Sequence, residues 1–343
     1  MAGTRKRGRL IRSYIAERID SDSQEVVRET AGKFGISRQA VNKHLRRLVT
    51  AGHVAIQGTT RSRRYSLTII DRQTIVLKLA TTTDENQVWR QQIVPCFPEL
   101  SSNAMDIWAY GFQEMLNNAI DHSSGTNVVI EIKLTATSTE ITMLDDGYGI
   151  FRKLRDSLGL EDERHAVFEL SKGKLTTDPD NHTGEGIFFT SRMFDRFSID
   201  SGSVYFSHIS PEEECWVYEN DEHVSGTWIH LKLSNHTKRK PRDIFDEFSG
   251  DGDYGFTRTV VPVDLVRYGN DALVSRSQAR RVMMRLDRFD TVILNFKNVE
   301  QVGQGFADEV FRVFARAHPD IELIPIDANP QVTAMIRRAK SHA

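Results

Sequence analysis

The chain has 343 residues, of which 39% are hydrophobic, and a formal net charge of −2. This length gives room for two or three domains, and the composition is typical of a globular protein without a membrane span. The two cysteines, Cys96 and Cys215, lack the paired spacing of a zinc site, and no apolar signal segment follows the basic N-terminus. We therefore expect a protein of the reducing cytoplasm that contacts no membrane.

The charge is divided unevenly along the chain. Residues 1–70 carry a net charge of +10, whereas the remaining residues carry a net charge of −12. A polyanionic partner is therefore expected at the N-terminal end only, because a basic segment attracts such partners and an acidic one repels them.

Apolar spacing in the N-terminal segment predicts three helices followed by a β-hairpin. The predicted elements are helices at 10–19, 26–34 and 38–49 and alternating strands at 54–57 and 63–68. Ser37 stands where an N-cap of the third helix is needed. This order of elements resembles a winged helix-turn-helix, and the stretch from Gly35 to Val41 is similar to the turn and recognition-helix start of bacterial regulators of that family.

The resemblance implies binding to double-stranded DNA through the third helix and the hairpin. Polar residues at the start of the helix would meet base edges, and basic residues further along and in the hairpin would contact phosphates. The eight predicted residues are Arg38, Gln39, Asn42, Lys43, Arg46, Arg61, Arg63 and Arg64. A winged helix used only for protein contacts is the alternative, and the charge of the segment argues against it.

A helix predicted for residues 101–122 carries the strongest functional pattern. Apolar residues at three- and four-residue spacing define one buried face. Glu114, Asn118 and His122 are each four residues apart, so that a carboxylate, an amide and an imidazole share a second face. This second face offers a base, a metal ligand and a phosphate contact, although solvated polar positions on an ordinary helix are the alternative.

Two glycine-containing motifs follow this helix. A predicted strand ends at Asp145, with Gly147 and Gly149 just beyond it, while Gly184 and Gly186 precede an apolar run. Glycine lets the backbone approach a flat ligand closely, and a glycine at a helix start leaves N–H groups open to phosphate. The three elements in this order favour a nucleotide site.

Together these motifs resemble the ATP-binding domains of the GHKL superfamily, which includes gyrase, the heat-shock chaperone, the mismatch-repair ATPase and the histidine kinases. Glu114 with Asn118 resembles the N box, and the glycine motifs resemble the glycine boxes, of which Gly226–Thr227 is the last. The resemblance covers roughly residues 100–233. It implies a Bergerat-type α/β sandwich that binds ATP and Mg²⁺.

By this resemblance Asn118 holds Mg²⁺, Asp145 accepts a hydrogen bond from the adenine amino group, and Glu114 acts as general base. The other predicted nucleotide contacts are His122, Gly147, Gly149, Lys172, Lys174, Thr183, Gly184, Gly186 and Thr227. Lys172 and Lys174 belong to a polar segment that is expected to close over the triphosphate, with a solvated loop as the alternative.

Alternating strands and helices predict a small α/β domain at the C-terminal end. It resembles a STAS-like domain of unknown function, and the similarity is carried by Asn295, Phe296, Val299 and residues 303–309. STAS antagonists are phosphorylated on a serine near the start of the equivalent helix, where this chain has Gly303, Gln304 and Gly305. Docking of a protein partner or formation of a homodimer is therefore the expected role.

The sequence thus predicts an α/β and α+β multidomain protein. Its segments are a winged helix-turn-helix at 1–70, a connector at 71–100, a GHKL ATP-binding domain at 101–235, a linker at 236–255 and a STAS-like domain at 256–343. The leading hypothesis is an ATP-hydrolysing, DNA-binding regulator in which Mg-ATP switches domain arrangement or oligomerisation. The alternatives are an anti-sigma-type serine kinase with a separate partner and a scaffold that ATP merely stabilises.

Overall fold

The computed structural model describes residues 2–20, 25–58, 63–80, 83–177, 183–210, 213–250, 255–267 and 272–341. These ranges contain an N-terminal helical unit with a hairpin, a five-stranded sheet and a three-stranded sheet. None of the helices within them combines the length and the apolar character that crossing a bilayer requires. The mixed α/β part of the predicted fold class is therefore confirmed.

The N-terminal unit has three helices and a hairpin around a core of its own. Its elements are α1 (Ala2–Asp20), α2 (Val26–Phe34), α3 (Arg38–Thr50), β1 (Val54–Gln57) and β2 (Arg64–Leu67). Helix α3 begins at Ser37, whose hydroxyl accepts a hydrogen bond from the Ala40 amide. Ile15, Val41 and Leu45 are buried between the helices, which holds the outer face of α3 towards solvent.

The central sheet has five antiparallel strands in the order β3-β4-β5-β7-β6. The strands are β3 (Asp71–Lys78), β4 (Asn127–Leu134), β5 (Ser138–Asp145), β6 (Arg196–Ile209) and β7 (Glu214–Ser234). Strand β3 falls in the stretch 71–100 that was predicted to be a connector. Because Ile75 and Leu77 pack against the central core, this stretch forms an edge of the sheet.

Helices cover one face of this sheet. They are α4 (Glu85–Val88) with the turns Trp89–Ile93 and Val94–Cys96 after it, α5 (Ser102–Asn117), α6 (Ile150–Leu158), α7 (Glu163–Lys172) and α8 (Gly186–Met193). Helix α5 continues through Asn118–His122 in the wider π-helical pitch, so its end is more open than a regular helix. Trp108 of α5 packs edge-on against Phe194, with ring centroids 4.7 Å apart, which locks α5 to the end of α8.

The C-terminal sheet is parallel, with the strand order β10-β9-β8. Its strands are β8 (Arg258–Pro262), β9 (Thr291–Asn295) and β10 (Glu322–Ile326), and the helices are α9 (Pro241–Glu247), α10 (Arg276–Met283), α11 (Gln304–Asp308), α12 (Ala315–Ala317) and α13 (Pro330–Ser341). Val292 and Leu294 of the middle strand are fully buried, and because side chains alternate along a strand they form one apolar face of this sheet. The predicted alternation of strands and helices is present.

Within the stretch 236–255, predicted as a linker, the described residues Ile244 and Phe248 are buried in the core. The Phe245 ring of α9 lies 4.6 Å from the Phe189 ring of α8, measured between centroids. One continuous apolar core therefore joins the central and C-terminal sheets. The N-terminal unit keeps its separate core and contacts the central sheet through Lys232, which donates to Asp20 over 2.6 Å.

A substitution at Gly111 tests the tight contact between α5 and the end of α8. A Cβ at this position would overlap the buried ring of Phe194. We expect Gly111→Ala to lower the free energy of unfolding by about 1–3 kcal/mol, because overpacking a dense core forces side chains out of their rotamers. Urea unfolding followed by tryptophan fluorescence measures this change, since Trp108 lies on the same helix.

The matched control is Gly32→Ala on α2, where no atom lies within 4 Å of the added Cβ. This variant should leave the tryptophan transition unchanged, because all four tryptophans lie outside the N-terminal unit. A Gly111→Ala transition that equals the wild-type one would contradict the packing described here.

Candidate functional site

A cavity of about 290 Å³ opens where α5, α6, α7 and α8 meet the end of β5 and the adjacent part of β7 around Thr227. Residues that the sequence analysis singles out as nucleotide contacts line it from several elements. They are Glu114, Asn118, His122, Asp145, Thr183, Gly184, Gly186 and Thr227. The fold therefore brings together side chains that are separated by more than a hundred residues in the sequence.

Asp145 forms the floor of the cavity at the end of β5. Its side chain is 5% exposed, and its Oδ1 accepts hydrogen bonds from the amides of Gly147 (2.9 Å) and Thr227 (3.2 Å). Burial raises the pKa of this carboxyl, and the two amides act in the opposite direction. The Thr227 hydroxyl in turn accepts from the Ile150 amide at the start of α6 (3.1 Å), so the carboxylate orientation is fixed by backbone.

Gly226 makes this floor sterically feasible. Its φ of +76° lies in the left-handed region, and a Cβ there would overlap the backbone carbonyl oxygen of Asp145. The predicted contacts Gly147 and Gly149 shape the same corner, but neither of them lines the cavity. They act through the backbone that positions Asp145 and the start of α6.

Glu114 stands on the opposite wall, against the first residue of α8. A Cβ on Gly186 would overlap the Glu114 carboxylate oxygen Oε2, so the carboxylate occupies the space above this glycine. A helix N-terminus favours a negative charge because its first amide groups have no partner within the helix. One helical turn before Glu114, burial raises the pKa of Tyr110, and the Glu114 and Glu185 carboxylates add to this effect.

Asn118 and His122 begin and end the π-helical turn that follows Glu114. Both line the cavity beside Glu114, as the four-residue spacing predicts. Turns of this pitch are frequent at functional sites, because they expose backbone and side chains that a regular helix would hide.

Lys153 is a cavity residue that the sequence analysis missed. It lies on α6, lines the cavity and donates from Nζ to the carbonyl oxygen of His122 over 2.7 Å. Burial lowers its pKa. The sequence offers one indication of this position, because Lys153 stands between the apolar residues Ile150 and Leu154. A lysine within an apolar helical stripe must either be exposed at an edge or face a polar cavity.

Lys172 and Lys174, predicted to contact the triphosphate, do not line the cavity. Helix α7 continues to Lys172, so this side chain lies on the helix face that the C-terminal domain covers, and it is 2% exposed. Lys174 donates to the carbonyl oxygen of Arg288 over 2.9 Å. The structure therefore directs both lysines to the C-terminal domain, and Lys153 supplies a positive charge to the cavity wall.

The predicted DNA contacts lie mostly on the outer face of α3. Arg38, Gln39, Lys43 and Arg46 are exposed, and Asn42 is half-buried. Arg63 and Arg64 are exposed at the start of the second hairpin strand, and Arg61 lies outside the described residues. The basic surface on α3 is therefore accessible in this arrangement of the domains.

Comparison with known families assigns one part of the chain. Residues 278–333 match a family described as a STAS-like domain of unknown function (DUF4325), which confirms the resemblance predicted for the C-terminal domain. A search of curated proteins finds no match. The matched residues include neither the cavity nor the N-terminal helices, so the function of those parts is argued from their own geometry.

A substitution at Gly226 tests the close packing at the floor of the cavity. We expect Gly226→Ala to lower the free energy of unfolding by about 3 kcal/mol or more, because the left-handed conformation and the overlap with Asp145 both oppose a Cβ. Urea unfolding followed by the fluorescence of the nearby Trp228 reports the loss.

Gly159→Ala is the matched control, because Gly159 also has a positive φ, +64°, but no atom within 4 Å of the added Cβ. Its free energy of unfolding should fall by only about 1 kcal/mol, the cost of the left-handed conformation alone. Equal losses for the two variants would contradict a close approach of Gly226 to Asp145.

Proposed function

We propose that the protein is an Mg²⁺-dependent, ATP-binding regulator that also binds double-stranded DNA. The observation that carries the proposal is the cavity itself, in which Glu114 and Asn118 of one helix face Asp145 at a strand end. The glycine-bounded turn at Gly184–Gly186 closes the same cavity. This is the arrangement that the GHKL resemblance implies for an ATP site.

The chemistry of the walls supports a purine at one end of the cavity. Asp145 offers a buried acceptor of fixed orientation, which suits an exocyclic amino group. Apolar side chains elsewhere in the lining offer the flat ring a dry surface. They are Ile150, Leu154, Leu170, Leu175, Ile187 and Ile229. A mostly apolar pocket with a few oriented polar groups is typical of a small-molecule site.

The other end suits the phosphates and Mg²⁺. Lys153 contributes a cation, and Thr183 and Gly184 line the wall that leads to the start of α8. Asn118 and Glu114 contribute oxygen atoms, and Mg²⁺ in nucleotide sites commonly takes only one or two protein oxygens besides phosphates. Among the described residues no cluster of three or more His, Cys, Asp or Glu could hold a metal alone, so the ion would enter with the nucleotide.

Glu114 is the proposed general base. Bound Mg²⁺ would neutralise charge on the phosphates, while Glu114 orients a water molecule and accepts its proton. The start of α8 keeps the carboxylate in one place, which is what a positioned base needs. A serine kinase would use the same residue on a serine hydroxyl of a separate partner, so the two activities differ only in the acceptor.

The N-terminal unit is the proposed DNA-binding part. The support is its net charge of +10 together with the exposed polar and basic face of α3. A helix with this face can enter the major groove while the hairpin contacts the adjacent backbone.

Catalysis is tested by the production of ADP in the presence of Mg²⁺. We expect Glu114→Gln to retain ATP binding but to lower the turnover at least about 100-fold, because the positioned base is lost.

Asn118→Ala should weaken the Mg²⁺-dependent part of ATP binding, measured by calorimetry with Mg²⁺ and with a chelator.

Gln113→Ala is the control on the same helix, because Gln113 donates to the Ala109 carbonyl oxygen and does not line the cavity. Turnover that persists in Glu114→Gln would contradict the role of the base. Binding of ATP by the wild-type protein without release of ADP would favour the serine-kinase alternative.

DNA binding is tested by anisotropy of a labelled duplex at a series of salt concentrations. We expect Arg46→Ala to weaken binding to all sequences and to reduce the slope of log K against log salt by about 1, because one phosphate contact is removed. The control is Arg242→Ala on α9, whose side chain is also exposed. An equal effect of the two variants would contradict α3 as the DNA-binding element.

A further inference from the structure

The end of α7 is shared between two parts of the molecule. One side of the segment from Leu170 to Leu175 forms a wall of the cavity, and the other side is held by the C-terminal domain. A segment with two such faces cannot shift at one of them without affecting the other.

Lys172 makes the main contact with the C-terminal domain. Its Nζ donates to the carbonyl oxygens of Arg281 (3.2 Å) and Met284 (2.9 Å) and to the Glu169 carboxylate (2.6 Å), so all three of its donors are used. Carbonyl groups in the last turn of a helix lack partners within the helix. Lys172 thus caps the end of α10 from the central domain.

The backbone of the same segment is bonded to the C-terminal domain as well. The carbonyl oxygen of Lys172 accepts from the hydroxyl of the buried Thr259 on β8 over 2.6 Å. Lys174 and Arg288 exchange two bonds, each side chain donating to the other residue's carbonyl oxygen over 2.9 Å. These bonds fix both the side chains and the backbone of residues 172–174.

The cavity side begins at the next residue. The Leu175 amide donates to the carbonyl oxygen of Gly184 over 3.2 Å, and both residues line the cavity. Two residues later, Gly186 supports the Glu114 carboxylate. A direct chain of contacts therefore runs from the end of α10 to the proposed base.

Aromatic packing joins the same two regions along a second route. The Phe188 ring of α8 lies 4.5 Å from the Phe256 ring that precedes β8, and Phe256 lies 5.2 Å from Phe289, measured between centroids. Because dense cores do not deform continuously, α8 and the C-terminal sheet should move together.

We infer that the STAS-like domain regulates the nucleotide cavity by holding the Lys172–Leu175 segment in the position that accepts the nucleotide. This inference rests on the proposed ATP site. Docking of the domain strengthens ATP binding, and ATP binding strengthens docking by the same factor, as linkage requires. Lys172, which joins this segment to the end of α10, is the positioning residue.

The test measures ATP affinity and hydrogen exchange on the full chain in the presence of Mg²⁺. Lys172→Met keeps the length of the side chain but removes its donors, and we expect ATP binding to weaken about tenfold, within the usual range of allosteric coupling. In the wild-type protein ATP should slow amide exchange in residues 281–289, which lie outside the cavity lining. In Lys172→Met this ATP-dependent protection should be lost.

Two further variants keep the test decisive. Lys238→Met replaces an exposed lysine outside the cavity lining and should leave both measurements unchanged. Arg288→Ala removes an exposed side chain that donates to the carbonyl oxygen of Lys174. If Lys172→Met does not fold, Arg288→Ala tests the same coupling, with a smaller expected loss of ATP affinity.

The outcomes separate the inference from the function on which it rests. Equal ATP affinity in all variants, with no ATP-dependent protection of residues 281–289, would overturn the coupling and leave the ATP site intact. A wild-type protein that binds no ATP would overturn both. Weaker binding in Lys172→Met and Arg288→Ala alone, together with loss of the protection, is the result that supports the coupling.

Discussion

The contact between Glu114 and the first residue of α8 is the constraint on which the rest of the site depends. Only a glycine at position 186 leaves space for the carboxylate, and the tight packing of α5 on Phe194 fixes the helix that carries it. The same helix then presents Asn118 and His122 to the cavity. The carboxylate, the amide and the imidazole are thus held by backbone and by a dense core, which is the preorganisation that the proposed phosphate chemistry needs.

Much of this arrangement follows from local sequence patterns. Four-residue spacing places Glu114 and Asn118 on one face of the helix, and the π-helical turn that follows still brings His122 to the same cavity. The position of Asp145 is equally local, because an alternating strand ends there and glycines follow. The C-terminal domain was predicted from its alternation of strands and helices, and its similarity to the STAS-like family is confirmed for residues 278–333. The ATP and DNA assignments remain proposals that these patterns motivate.

The parts that the sequence analysis missed depend on contacts between distant segments. The run Thr74–Leu79 is strand-like in sequence, but its place in the sheet depends on the pairing of β3 with the distant β4, from Asp71 with Leu134 to Lys78 with Asn127, which no local pattern shows. Lys172 and Lys174 share their composition with a flexible basic loop, and only the carbonyl groups of α10 and Arg288 give them a structural role. Lys153 is hard to recognise from the sequence, because a single lysine in an apolar stripe does not indicate whether its side chain faces solvent or a cavity.

The proposed binding of a Mg²⁺-nucleotide in the cavity is best tested by a crystal grown with ATP and with Mn²⁺ in place of Mg²⁺. From this proposal we expect an anomalous manganese peak within coordination distance of the Asn118 side-chain oxygen and adenine density against Asp145. An empty cavity at saturating nucleotide, or a nucleotide bound elsewhere on the chain, would contradict it.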